Sequence, residues 1–179
     1  LKEKNSSIKA LSYQLYENNG VLKRDQVSEY LKKLGQNERK ILRDLGVKFG
    51  RYHVFLYKLI KPDAVSLRTL LWKNYHQKDF NLKPPKFGLN FLEDKDFKNK
   101  YFMLLCGFEK FNNFYVRIDI LERLFMQIIN SEKEIKMIPE MLNLLGCSKE
   151  NFKKLLKSMS YKITEKNNEI LFKYNPKKN

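Results

Sequence analysis

A mainly α, α+β protein with small β-hairpins is what this chain predicts, on three observations. Apolar residues recur at helical spacing in short segments that glycine or asparagine closes. The pattern then switches to short runs rich in Tyr, Ile, Phe and Val around polar turns. This succession of helices and hairpin occurs at both ends of the 179 residues.

Near the start, Ser6 or Ser7 can cap a helix running to about Asn18, with Ile8, Leu11 and Leu15 on one face and Asn19-Gly20 ending it. Val21 and Leu22 form a short extended step. Asp25 to Leu34 is a second helix (Val27, Tyr30, Leu31, Leu34 apolar), closed by Gly35. Asn37 caps a third, carrying Ile41, Leu42 and Leu45 to Gly46; Val47 to Tyr57 then reads as paired strands bent around Gly50. In the middle, Pro62 to Tyr75 is a helix with a first-turn proline and an apolar face of Leu67, Leu70, Leu71 and Trp72. His76 to Lys95 is irregular, broken by Pro84-Pro85 and Gly88. Asp96 to Leu105 reads as a helix that Gly107 ends, and Asn112-Asn113 turns a hairpin between Phe108–Phe111 and Phe114–Ile118.

In the last third, Leu121, Leu124, Phe125, Ile128 and Ile129 mark an amphipathic helix over Asp119 to Asn130. A helix from Pro139 to Gly146 follows, and Ser148 caps another that runs to about Met159 on the stripe Phe152, Leu155, Leu156. Tyr161–Thr164 and Ile170–Tyr174 flank the polar turn Glu165-Lys166-Asn167-Asn168. Three helices and a hairpin are the pattern of a winged helix, in which one helix enters the major groove while flanking elements touch the backbone. The expected division is a winged-helix-like unit over 1–60, a middle helix, irregular linker and hairpin over 61–117, and a second winged-helix-like unit over 118–179. Set 114 residues apart, the ends agree: Leu11 and Leu15 fall on Phe125 and Ile129, Val21 on Ile135, and Ile41-Leu42-Arg43 on Leu155-Leu156-Lys157. A duplicated unit is the hypothesis this spacing raises.

The net charge is +16, and residues 1–75 hold +9 of it, 76–119 +2 and 120–179 +5. A surplus concentrated at both ends favours phosphate backbones through attraction and counterion release. Lysines outnumber arginines 29 to 7, alongside abundant Asn, Ile, Phe and Tyr, which an AT-rich coding sequence also produces. Cys106 and Cys147 stand 41 apart with no second cysteine near either, so they suit neither a zinc knuckle nor a disulfide framework. Two small apolar residues in a reduced, cytoplasmic setting are expected. No apolar run approaches a membrane span and no signal peptide is visible. The chain opens on Leu1 inside charged sequence, which we read as a piece cut from a longer protein.

Three blocks carry a family resemblance: Leu45-Gly46-Val47-Lys48-Phe49-Gly50-Arg51-Tyr52-His53-Val54-Phe55-Leu56; Leu59-Ile60-Lys61-Pro62 with Leu70-Leu71-Trp72; and Gly107-Phe108 to Val116-Arg117-Ile118-Asp119-Ile120-Leu121-Glu122-Arg123-Leu124. Leu144-Leu145-Gly146-Cys147-Ser148 adds a fourth. Over roughly residues 8–163 the chain resembles the region following the motor in alphaproteobacterial superfamily 2 helicases related to the mitochondrial degradosome RNA helicase. These are packing and turn motifs rather than catalytic signatures. The resemblance implies a parent that couples ATP hydrolysis to unwinding, with helicase motor domains in the same parent chain as partners. No phosphate loop of the Gly-x-x-x-x-Gly-Lys-[Ser/Thr] type and no acidic metal box occurs here. The implied role is therefore an accessory region, neither an enzyme nor a cofactor protein.

The candidate nucleic-acid contacts are Lys149, Lys153, Lys154 and Lys157 on the last helix, Lys162, Lys166 and Lys173 on the hairpin, and Arg51 with Tyr52 in the first unit. The lysines could serve phosphates or simply solvate a helix face. Arg51 and Tyr52 could hold a phosphate and stack a base, since stacking on aromatics tolerates any sequence, or be ordinary surface residues. His53 and His76 have no companions at metal spacing. Arg117 and Arg123 are expected to pair with Asp119 and Glu122, Trp72 to sit in a core, and Glu93, Asp94 and Asp96 to form an exposed loop. No catalytic constellation can be assembled, so no small-molecule substrate is expected. RNA or DNA is the expected partner. Two alternatives remain: a scaffold docking a motor or nuclease partner, marked by a contiguous exposed apolar patch, and a free-standing winged-helix DNA-binding regulator.

Overall fold

The structure, a computed structural model, describes residues 2–76, 81–94, 99–128, 134–166 and 169–175, with side chains from Ser6 onward. The described residues form eight α-helices, a 3-10 turn and nine short strands in three antiparallel sheets, a mixed α/β architecture. They divide into two compact units, Leu1–Phe87 with Tyr101–Gly107 and Gly88–Lys100 with Phe108–Asn179.

The first unit runs α1 (Lys2–Glu17), β1 (Val21–Lys23), α2 (Ser28–Lys33), α3 (Gln36–Asp44), β2 (Val47–Phe49), β3 (His53–Leu56), a 3-10 turn (Tyr57–Ile60) and α4 (Pro62–His76), with α5 (Lys100–Leu105). Asn19 (φ 55°) and Gly20 (φ 77°) end α1 in left-handed backbone, as the sequence suggested. A side chain at Gly20 would collide with the Leu59 side chain 2.6 Å away. The core gathers Leu11, Leu15, Leu22, Leu31, Leu42 and Val54 from the helices and one face of the sheet. Three starts differ from expectation. α1 begins at Lys2, ahead of Ser6 and Ser7; α2 begins at Ser28, after a turn that takes in Asp25 to Val27; and α3 has Gly35 as its N-cap, with Asn37 inside the first turn. The extended step at Val21 is a true strand, because Val21–Lys23 pairs with β3 and turns the expected hairpin into a three-stranded sheet.

α4 overturns a further expectation. Val65 and Thr69 face inward, whereas Leu67, Leu70 and Leu71 are each more than half exposed. Trp72 does pack, its ring 5.6 Å from that of Phe102. The inward stripe is led by Val65, Arg68, Thr69 and Trp72, a mixed-polarity face that a hydrophobic pattern alone does not reveal.

The second unit contains β4 (Phe91–Glu93), β5 (Phe108–Phe111), β6 (Phe114–Arg117), α6 (Ile118–Ile128), β7 (Ile135–Lys136), α7 (Pro139–Leu145), α8 (Lys149–Ser158), β8 (Tyr161–Lys166) and β9 (Glu169–Tyr174). Pro139 opens α7, Gly146 (φ 67°) closes it, and the Ser148 Oγ accepts a hydrogen bond from the Asn151 amide at 3.2 Å. Arg117 donates to both oxygens of Asp119 at 2.8 and 2.7 Å, locking strand to helix start. Asn112 takes the left-handed turn position (φ 47°) between β5 and β6. Asp94 corrects another expectation: its side chain is 2% exposed and accepts from Lys110 Nζ at 2.7 Å, while Glu93 lies on β4 opposite Phe114. Asn167-Asn168, Ile129 and Asp96 lie outside the described residues.

Burial pushes the Cys106 thiol up to about 12 and Cys147 to about 11. Alkylation at mild pH should therefore be slow on the folded chain and fast once urea unfolds it, a contrast that a timed iodoacetamide quench will show. The sign for stability follows. An unfolded thiol ionises near the ordinary 9.0 and the folded Cys106 only near 12, so stability should fall as pH rises through that interval.

The sheets share one order: β1-β3-β2, β4-β6-β5 and β7-β9-β8. In each, a strand is followed by helix, left-handed residue and hairpin, the left-handed position being Gly46 (φ 96°), Gly107 (φ 83°) and Ser160 (φ 64°). The duplication suggested by the 114-residue spacing thus extends to strand order at both ends. Val27 and Met141, Leu31 and Leu145, and Leu42 and Leu156 are buried pairs at that spacing. One detail shifts: Leu22, opposite Val54, holds the place that Ile135 holds opposite Phe172, and Val21 does not.

Candidate nucleic-acid interface

α8 sits where it does because Phe152, Leu155 and Leu156 are fully buried. Phe152 meets Phe172 of β9 edge-on with ring centroids 6.1 Å apart. The face of the sheet bearing Tyr161, Ile163 and Phe172 therefore lies against α8. Strand alternation then sends Lys162, Lys166 and Lys173 to the other face.

These placements sort the lysines. Lys153 is engaged internally: its ammonium reaches Glu165 at 2.8 Å and Glu150 at 3.3 Å, and its side chain is only 19% exposed. The hydrogen bond that Lys153 donates to Glu165 raises the Lys153 pKa, and the same bond lowers that of Glu165. Lys153 thus ties α8 to the hairpin. Lys149, Lys154 and Lys157 are exposed on α8, and no described carboxylate is within ion-pair distance of any of them. Lys157 still feels Glu165 through space.

On the far side of the sheet, Lys162 and Lys173 are direct cross-strand partners. Like charges directly opposite each other destabilise a sheet, so this pair works against folding unless an anion joins it. Lys166 lies opposite Glu169, which is already engaged by Lys136. Arg51 and Tyr52 belong to the turn between β2 and β3 of the first unit, with the guanidinium carbon 5.9 Å from the Tyr52 ring centroid. Both are half-buried, and the Tyr52 carbonyl accepts from the Arg24 amide at 2.8 Å. Sequence reasoning stopped short of Lys40 and Arg43 on α3, which are also exposed. The 114-residue spacing was the signal that reaches them.

Among the described residues no group of His, Cys, Asp and Glu could hold a metal ion, and no helix is long and apolar enough to cross a membrane. Comparison with protein-family models, curated proteins and solved structures returns no match.

Proposed function

We propose that this chain is a nucleic-acid-binding accessory region, built from winged-helix-like units, that holds RNA or DNA beside an ATP-driven helicase motor and performs no chemistry itself. The observation that carries the reading is the cross-strand pair Lys162–Lys173 together with the outward Lys154 and Lys157. A phosphate set between the two ammonium groups would offset their repulsion with charge-assisted hydrogen bonds. Lysine supplies point charge rather than the planar fork that reads guanine, so affinity should depend on salt and little on sequence.

Fluorescence anisotropy with labelled single- and double-stranded RNA and DNA across a salt series tests this. Each phosphate contact contributes roughly −0.9 to the log–log slope on duplex and roughly −0.7 on single strands. Changing Lys154 and Lys157 to Gln should flatten the slope by up to about 1.8 on duplex. Lys153→Gln should instead lower stability with little change in slope. An unchanged slope in the double variant would remove α8 from the interface.

A second reading has its own observation. Leu67, Leu70, Leu71 and Tyr75 make an exposed apolar stripe along α4, between 54% and 84% accessible. Such a stripe suits a protein partner, and motor domains of the same parent chain would be the natural one. Leu67→Glu with Leu71→Glu should weaken association with those domains in a sedimentation assay and leave the salt slope as it was.

A further inference from the structure

The two ends of the chain repeat charge as well as fold. Residues 36–49 contain four basic side chains, Arg39, Lys40, Arg43 and Lys48, and residues 150–163 contain four, Lys153, Lys154, Lys157 and Lys162; every member of one set lies 114 positions from a member of the other. The structure gives matching members matching jobs. Arg39 is engaged internally, donating to the Leu31 carbonyl at 2.7 Å and the Leu34 carbonyl at 3.2 Å, as Lys153 is engaged by Glu150 and Glu165. Lys40 and Arg43 are exposed on α3, as Lys154 and Lys157 are on α8. Lys48 is the exposed middle residue of β2, as Lys162 is the exposed second residue of β8.

The middle sheet supplies an internal control. Counted from its left-handed Gly107, the positions of Lys40, Arg43 and Lys48 are held by Tyr101, Leu104 and Glu109. A lysine-rich composition would scatter charge over all three copies. The middle copy has a basic residue, Lys100, at the position of Arg39 and none at the other three, so only the two ends share the full set of four.

We infer that the first unit supplies a second set of phosphate contacts, Lys40 and Arg43 on α3 and Lys48 on the face of the sheet turned away from α3, equivalent to Lys154 and Lys157 on α8 and Lys162 on the far face of β8. The ligand is the phosphodiester backbone of RNA or DNA. This rests on the nucleic-acid reading of the second unit, and it adds that each unit binds phosphate through its own helix and strand.

The experiment uses the full chain and four probes: fluorescein-labelled single strands and duplexes of RNA and of DNA, which also separate the two sources of backbone. Lys40→Gln with Arg43→Gln should flatten the duplex salt slope by up to about 1.8, and combining it with Lys154→Gln and Lys157→Gln should flatten it by about twice that. Lys40→Arg with Arg43→Lys, which keeps the charge, should restore the wild-type slope. Circular dichroism confirms that each variant is folded; should the Gln pair unfold, Lys48→Gln alone is expected to remove up to about 0.9. A flattened slope for the α8 pair with no change for the α3 pair or for Lys48→Gln overturns this inference and leaves the parent reading standing. Absence of binding by the wild-type chain to every probe at low salt overturns both.

Discussion

Replacing Phe172 by alanine should destabilise the second unit by about 4 kcal/mol. Phe172 is 1% exposed and stands at the centre of its sheet, opposite Ile135 on one side and Ile163 on the other. Its ring meets Phe152 of α8 edge-on and Tyr161 at 5.8 Å. Truncation removes those aromatic contacts and leaves a cavity in which α8, β7 and β8 each lose a neighbour. Phe172→Leu, which refills most of the volume, should cost well under half as much. Urea unfolding followed by tyrosine fluorescence gives the midpoints, and an unchanged slope of free energy against urea keeps the comparison clean. A loss below about 1 kcal/mol would show that the sheet repacks around the gap.

Arg68→Ala should cost the first unit about 3 kcal/mol, taking charged hydrogen bonds at roughly 1.5 to 3 kcal/mol each and discounting for water that re-enters. Its guanidinium donates to the carbonyls of Leu59 at 2.9 Å, Leu105 at 3.2 Å and Asn19 at 2.5 Å. These are the last carbonyls of the 3-10 turn and of α5 and the turn that ends α1, where the helix dipole favours a cation. Burial lowers the Arg68 pKa, with desolvation as the main cause, yet the side chain remains charged at any working pH. A lysine carries the same charge without the fork that spans three acceptors. Arg68→Lys should therefore recover less than half of the loss. Full recovery by lysine would mean that charge, and not the fork geometry, holds the three ends together.

Position 68 also shows where sequence reasoning ran out. The proline at 62 and the helical spacing after it mark α4 well, but Leu67, Leu70 and Leu71 attract attention as its buried face and lie outside. Arg68 turns inward because carbonyl ends from three other elements converge there, a fact about chain segments up to 49 residues apart. The same holds for Asp94, read as loop and found buried against Lys110.

Local chemistry was legible wherever neighbours decide the outcome. Ser148 as a cap, Pro139 and Gly146 as the ends of α7, and Asn112 in a left-handed turn each depend on backbone geometry within a few residues. Periodicity likewise marks the buried stripe of α8, and the 114-residue spacing is legible in the sequence alone. Third strands were not, since Ile135–Lys136 is too short to declare itself and becomes a strand only when β9 offers its edge. Nor could sequence divide the lysines. Lys153, Lys154 and Lys157 look alike along α8, and only the placement of Glu165 on the facing strand takes Lys153 inward while the other two remain in water. Spacing thus determined which residues share a helix or strand, and tertiary structure decided which charges are already neutralised, because an ion pair between distant segments exists only once the strands are in register.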